Sequence, residues 1–143
     1  MIIRPSLAGA TRRNVPPPLD NAEVPTARLA YGLRKLRAGY TGAAIRVRRD
    51  SDNTEADVYF GDRQEVTLSS MTSSGDTLRV FVGSDSAFVT KWYNQSGNSS
   101  TQPGGGSWTG FDTDPDAVQT TTSRQPELIS SGVFNRGLKC VTS

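Results

Sequence analysis

The sequence has no histidine and a single cysteine, Cys140. The first absence removes His-ligated zinc sites, Ser-His-Asp triads and histidine general bases. The second removes any internal disulfide framework and any Cys-rich zinc site. A lone thiol also suits synthesis in a reducing compartment. Large apolar residues are scarce: Leu, Ile, Val and Phe supply 29 of 143 positions, about 20%, the boundary below which highly charged chains stay unfolded. The net charge is only +2, so disorder is not imposed. The expected core is thin, and contacts with partner chains would support it. No run of about 18 apolar residues occurs, and Met1-Ile2-Ile3-Arg4-Pro5 lacks the apolar stretch of a signal peptide. The expectation is a soluble chain without membrane insertion, not exported by that route and without a cofactor.

What is plentiful is turn chemistry. Ser, Thr, Gly and Pro together account for 53 residues, which favours short strands joined by many turns in one domain. Charge is unevenly placed: residues 1–49 carry +8 and residues 50–143 carry −6. Such a dipole suits head-to-tail contact between copies or docking onto an acidic neighbour. Nucleic acid is the weaker reading, because the basic residues lack interleaved aromatics before Tyr31 and match no recognition motif.

Residues 1–20 contain Arg4, Arg12, Arg13 and the run Pro16-Pro17-Pro18, with apolar residues too sparse for a helical or strand face. They read as an extended arm, whose fixed proline φ angles lower the entropy lost when it lies along another surface. Residues 21–143 read as one β-rich domain. A helix is expected over residues 26–38, where Leu29, Leu33, Leu36 and then Tyr40 form one stripe, Pro25 precedes it and Gly39 follows it. Alternation from Ala43 to Arg48 predicts a strand with Ile45 and Val47 inward and Arg46 and Arg48 on a wet face. Further strands are expected over residues 56–60, 77–82 and 87–93. A long exposed loop is expected over residues 95–116, in which Trp108 and Phe111 are large enough to serve contacts. The fold class is therefore mainly β with one short helix, a small antiparallel β-sandwich-like module with an extended N-terminal arm.

The acidic residues offer two chemistries. Asp112, Asp114 and Asp116 alternate as calcium-loop ligands do, but Ala117 and Ser123 stand where that loop needs Gly and a bidentate Glu. No metal is expected. Asp50, Asp52, Glu55 and Asp57 could supply the paired carboxylates of a glycosidase, yet they surround a tight turn, where carboxylates stay hydrated and do not acquire a raised pKa. A hairpin turn is the simpler reading.

A resemblance adds to this. The stretch A-Y-G-L-R-K-L-R-A-G-Y-T-G-A-A-I-R-V-R-R over residues 30–49, the following S-D-N-T-E-A-D-V over residues 51–58, F-V-T-K-W-Y-N-Q-S-G-N over residues 88–98 and Q-P-E-L-I over residues 125–129 occur in that order. Together they resemble the opening of the alpha-L-arabinofuranosidase B catalytic-domain family, which includes fungal glycosidases and tailed-phage virion proteins. The first stretch is especially similar to the phage branch. The resemblance implies a concanavalin-like sandwich in the enzymes, whose catalytic carboxylates lie in a later part than this chain contains. Asn94 stands where the family signature has Asp, so no catalytic residue is carried over. Trp92, Tyr93, Asn94, Gln95 and Gly97 are expected to form a structural corner. The leading expectation is a non-enzymatic structural protein of a tailed-phage virion, made in the host cytoplasm, tail-associated as an adaptor or fibre base, or head-decorating. Its partners would be other virion proteins in a homo-oligomer or symmetric assembly, bound through Arg4, Arg12, Arg13, Pro16, Pro17, Pro18, Trp108 and Phe111. The alternative is a carbohydrate-binding module or remnant glycosidase domain that takes a host-surface glycan.

Overall fold

The computed structural model describes residues 17–20, 29–96 and 116–139. Among the described residues the chain is mainly β with one short helix. Six strands, β1 (Ile45–Arg49), β2 (Glu55–Val58), β3 (Ala87–Trp92), β4 (Ala117–Val118), β5 (Glu127–Ser130) and β6 (Val133–Lys139), form one antiparallel sheet. Its order is β2-β1-β3-β5-β6, with β4 also beside β3. The sheet is one layer of the sandwich-like module. The connection from β2 to β3, carrying the helix α1 (Leu78–Val82), supplies the other.

Between them lies the core expected from the alternation. Ile45, Val47, Ala56, Val58, Ala87 and Val89 meet Val66 and the α1 residues Leu78, Phe81 and Val82. Removing these side chains from water is the main favourable term for so short a sheet. The β1–β2 turn is a hairpin in which Asn53 adopts φ 59° and Asp52 receives the Arg49 guanidinium at 2.6 and 3.0 Å. Strands β5 and β6 are joined by Ser131 and Gly132, both at positive φ as a two-residue turn of this hand requires.

Two expectations are corrected. Residues 29–38, the described part of the predicted helix over residues 26–38, are not helical. Their backbone groups bond to other segments instead: Lys35 N donates to Gln64 O at 2.7 Å, and Leu33 O accepts from Val66 N at 2.7 Å. Gly32 in the middle of the segment weakens the helical alternative by about 1 kcal/mol. Conversely, residues 78–82 are helical where a strand was predicted. Leu78, Phe81 and Val82 are buried while Val80 is exposed, the spacing of a helix and not of alternation. Thr77 caps the start, with Val80 N donating to its Oγ1 at 3.4 Å, and Gly83 ends the helix at φ 62°.

The arm lies mostly outside the described residues, including Arg4, Arg12, Arg13 and Pro16. Its last residues are docked on the domain: Pro18–Asp20 form one 3-10 turn, Leu19 N donates to Leu36 O at 2.9 Å, and Asp20 Oδ2 accepts from Ala38 N at 2.7 Å. Pro17 is half-buried and Pro18 exposed.

Candidate functional site

The chemistry-bearing side chains converge where β3 ends. At Trp92 the chain leaves the ladder and turns through Tyr93, Asn94, Gln95 and Ser96. Trp92 lies partly buried against the core. Asn94 Oδ1 accepts from Ser96 N at 3.1 Å, the local turn its short amide favours, and from Ala30 N at 2.9 Å. Gln95 is fully buried. Its Oε1 accepts from Leu36 N at 2.9 Å, its Nε2 donates to Gly32 O at 2.8 Å, and its own N–H donates to Ala30 O at 2.7 Å. Both side-chain amides thus replace the helical bonds that residues 30–36 do not make with one another. The expected corner is present for Trp92, Tyr93, Asn94 and Gln95; Gly97 lies outside the described residues.

Beside this corner, the outer face of the sheet carries a linked set of charges. Arg46 and Asp57 are directly opposite across β1 and β2, and Arg46 is also opposite Lys91 on β3. Arg46 donates to Asp57 from Nε at 2.7 Å and from NH2 at 3.1 Å, a two-pronged pair. Tyr93 OH donates to the same carboxylate at 2.6 Å. Lys91 stands 5.2 Å from the Tyr93 ring centroid, with its Nζ 3.4 Å from Asp116 Oδ2. Asp116 Oδ1 in turn accepts from Asn94 N at 2.8 Å. Residues 95–116 therefore do not form a loop exposed from end to end: Gln95, Ser96 and Asp116 are anchored at its two ends. Trp108 and Phe111 lie outside the described residues, as do Cys140, Asp112 and Asp114.

Within this network Asp57 and Tyr93 are shifted in opposite directions. Partial burial pushes the Asp57 carboxyl up, but the Arg46 hydrogen bonds, then that of Tyr93, then the charges of Arg46 and Lys91 outweigh it, and the group is held below its ordinary value. Burial, followed by the hydrogen bond to Asp57, raises Tyr93. Burial and the nearby Asp116 charge push Tyr40 up to about 12. Across the neutral range Asp57 is an ionised acceptor and Tyr93 a protonated donor.

The second outward arginine is not on a wet face: Arg48 is 6% exposed. It donates to Gln125 Oε1 at 2.9 Å, Asn53 Oδ1 at 2.8 Å and Asp50 Oδ1 at 3.2 Å, and its guanidinium lies 5.1 Å from the Phe88 ring centroid. The sequence signal for these pairings was the hairpin itself, whose turn over residues 50–54 sets Arg46 opposite Asp57. Among the described residues no group of three Asp, Glu or Cys is placed to hold a metal ion, and no helix is long and apolar enough to cross a membrane. Compared with known proteins, the chain matches no family model, no curated protein and no solved structure.

Proposed function

We propose that this chain is a non-enzymatic structural protein of a tailed-phage virion, tail-associated as an adaptor or fibre base, or head-decorating, that holds neighbouring subunits through its N-terminal arm. The observation that carries the reading is the use of the W-Y-N-Q-S stretch. Asn94 and Gln95 spend their amides on the backbone of residues 30–36, and Tyr93 is committed to Asp57. The residues by which the chain resembles the arabinofuranosidase B family thus act as internal fastening. Support also comes from Asp57, a carboxylate held ionised by Arg46, the opposite of what a glycosidase general acid needs. The arm's root, fastened by Leu19 and Asp20, gives the preceding residues a fixed point from which to reach another subunit.

The test is immunogold electron microscopy and peptide mass spectrometry of purified particles. Labelling at a fixed position on the tail or head is expected; a chain recovered only from lysate, never from particles, refutes the proposal.

A second reading, the carbohydrate-binding module, draws on a hollow of about 310 Å³ on the outer sheet face, where Arg46, Glu55, Thr90, Lys91, Gln119 and Gln125 present hydrogen-bonding groups together. Glycan-array binding abolished by Gln119→Ala would favour it, and no binding at millimolar sugar would exclude it.

A further inference from the structure

Two cations oppose each other on the outer face of the sheet. Arg46 on β1 is the direct cross-strand partner of Lys91 on β3, and like charges so placed destabilise a sheet. The carboxylates that balance them, Asp57 for Arg46 and Asp116 for Lys91, are not among the walls of the hollow of about 310 Å³ that both cations line. Into that hollow the protein presents two cations, the one carboxylate of Glu55, and the neutral polar side chains of Thr90, Gln119 and Gln125.

We propose that this hollow binds an acidic sugar, its carboxylate beside Arg46 and Lys91 and its ring hydroxyls met by Glu55, Thr90 and Gln125. This rests on the carbohydrate-binding reading above and names the class of sugar. Hydrogen-bonding capacity is unused where such a ligand needs it. Arg46 gives Nε and NH2 to Asp57, while its NH1 has no partner among the described residues. Gln125 and Thr90 are only 4% and 6% exposed, yet both line the hollow. Arg48 donates to Gln125 Oε1 at 2.9 Å, which fixes the end of the amide that carries the donors. Gln125 Nε2 gives one hydrogen to Gln119 O at 3.1 Å and retains a second. Thr90 Oγ1 donates to Arg46 O at 3.4 Å and accepts from no group among the described residues.

This mixture of groups selects the ligand. A bare phosphate or carboxylate would engage the cations and leave the acceptors Glu55 and Thr90 without donors, whereas ring hydroxyls serve both. A neutral sugar would leave the opposed cations unrelieved. No aromatic side chain among the described residues lines the hollow, so ring stacking adds nothing and affinity rests on hydrogen bonds, which are strongest where one partner is charged. The volume lies at the lower end of small-molecule sites and suits about one sugar ring.

The experiment titrates the full-length chain, by calorimetry and nitrogen-15 amide shifts, with trigalacturonate against its methyl ester and with sialyllactose against lactose. At least one acid is expected to bind about tenfold more tightly than its neutral counterpart, more weakly as salt rises, and with shifts at Arg46, Thr90, Lys91 and Gln119. Arg46→Gln should abolish that preference. Because Arg46 also holds Asp57, a second variant guards against misfolding: Glu55→Gln, on the exposed rim, keeps an acceptor and removes a like charge, so it should raise the ratio of acid to neutral affinity about threefold. A ratio unchanged by Glu55→Gln, or shifts confined to another surface, overturns the inference. Equal binding of acids and neutral sugars overturns it and leaves the carbohydrate reading standing. No binding of any of the four at millimolar concentration overturns both.

Discussion

Gln95→Ala should unfasten the corner. The side chain is fully buried and serves two backbone groups of a different segment, the Leu36 N–H and the Gly32 carbonyl. Truncation leaves both without a partner at a cost of about 1–3 kcal/mol each, so a loss of about 2–6 kcal/mol is expected. That is a large share of the roughly 5–15 kcal/mol that holds an ordinary domain. Gln95→Leu separates the hydrogen bonds from the cavity, since it refills the volume and leaves the same two groups orphaned. Gln95→Glu adds a test of sign. Its carboxylate can still accept from Leu36 N–H but faces the Gly32 carbonyl with like polarity, so the folded state favours the protonated acid, which can donate. The folded pKa then lies above the ordinary value of about 4.3. More protons are bound folded than unfolded, and the variant's stability rises as pH falls from 7 to 5. Urea unfolding of the three variants at both pH values measures this, and hydrogen exchange of the Leu36 amide reports the segment directly. If Gln95→Leu matched the native chain, or Gln95→Glu were no more stable at pH 5 than at pH 7, the fastening argument would be wrong.

Asp57→Asn should cost about 1 kcal/mol, a modest figure because Arg46 is 40% exposed and water screens the pair. Since Asp57 is depressed in the folded state, its contribution is present above the ordinary value of about 3.9 and is lost as pH falls through the lower folded value. The acid limb of the native unfolding curve should therefore flatten in this variant. Tyr93→Phe removes one hydrogen bond to the same carboxylate and should cost about 1 kcal/mol by urea unfolding; combined with Asp57→Asn, its effect should shrink, and full additivity would deny the coupling. Ultraviolet titration should place Tyr40 near pH 12, and a Tyr40→Phe spectrum that loses only a component near pH 10 would contradict its burial. Gly132→Ala should destabilise by about 1–3 kcal/mol, because the position holds φ 77° and the new Cβ would meet Gly83 O at 2.9 Å; thermal unfolding reads it.

The first three strands, β1 to β3, were legible because their alternation places one row of side chains against the core, whereas β4, β5 and β6 were not expected from the sequence. Ile45 and Val47, Ala56 and Val58, and Ala87 and Val89 satisfy that rule locally. The helix was misplaced in both directions for a reason that local periodicity does not contain. Leu29, Leu33, Leu36 and Tyr40 have helical spacing, but the backbone between them finds better partners in Gln95, Gln64 and Val66. Leu78, Val80 and Val82 alternate, yet the set that is buried is Leu78, Phe81 and Val82. Thr77 and Gly83, a side-chain cap and a left-handed stop, were the readable clue.

The site was legible as a motif and opaque as a set of partners. The A-Y-G-L-R-K-L-R and W-Y-N-Q-S stretches look like two separate signatures in the sequence. In the fold they are one object: Ala30 N and Leu36 N donate to Asn94 Oδ1 and Gln95 Oε1, and Gly32 O accepts from Gln95 Nε2, across separations of 59 to 64 residues. Either stretch alone leaves buried donors and acceptors unmet. Their joint presence is thus accounted for by mutual hydrogen-bond satisfaction, without recourse to a substrate. The Asn94 amide oxygen accepts from Ala30 and Ser96, a role that a carboxylate at the same position could also fill. Asn94→Asp keeps both acceptor bonds, so it should fold normally and leave the Ala30 amide protected from exchange, and loss of that protection would deny the fastening role of Asn94.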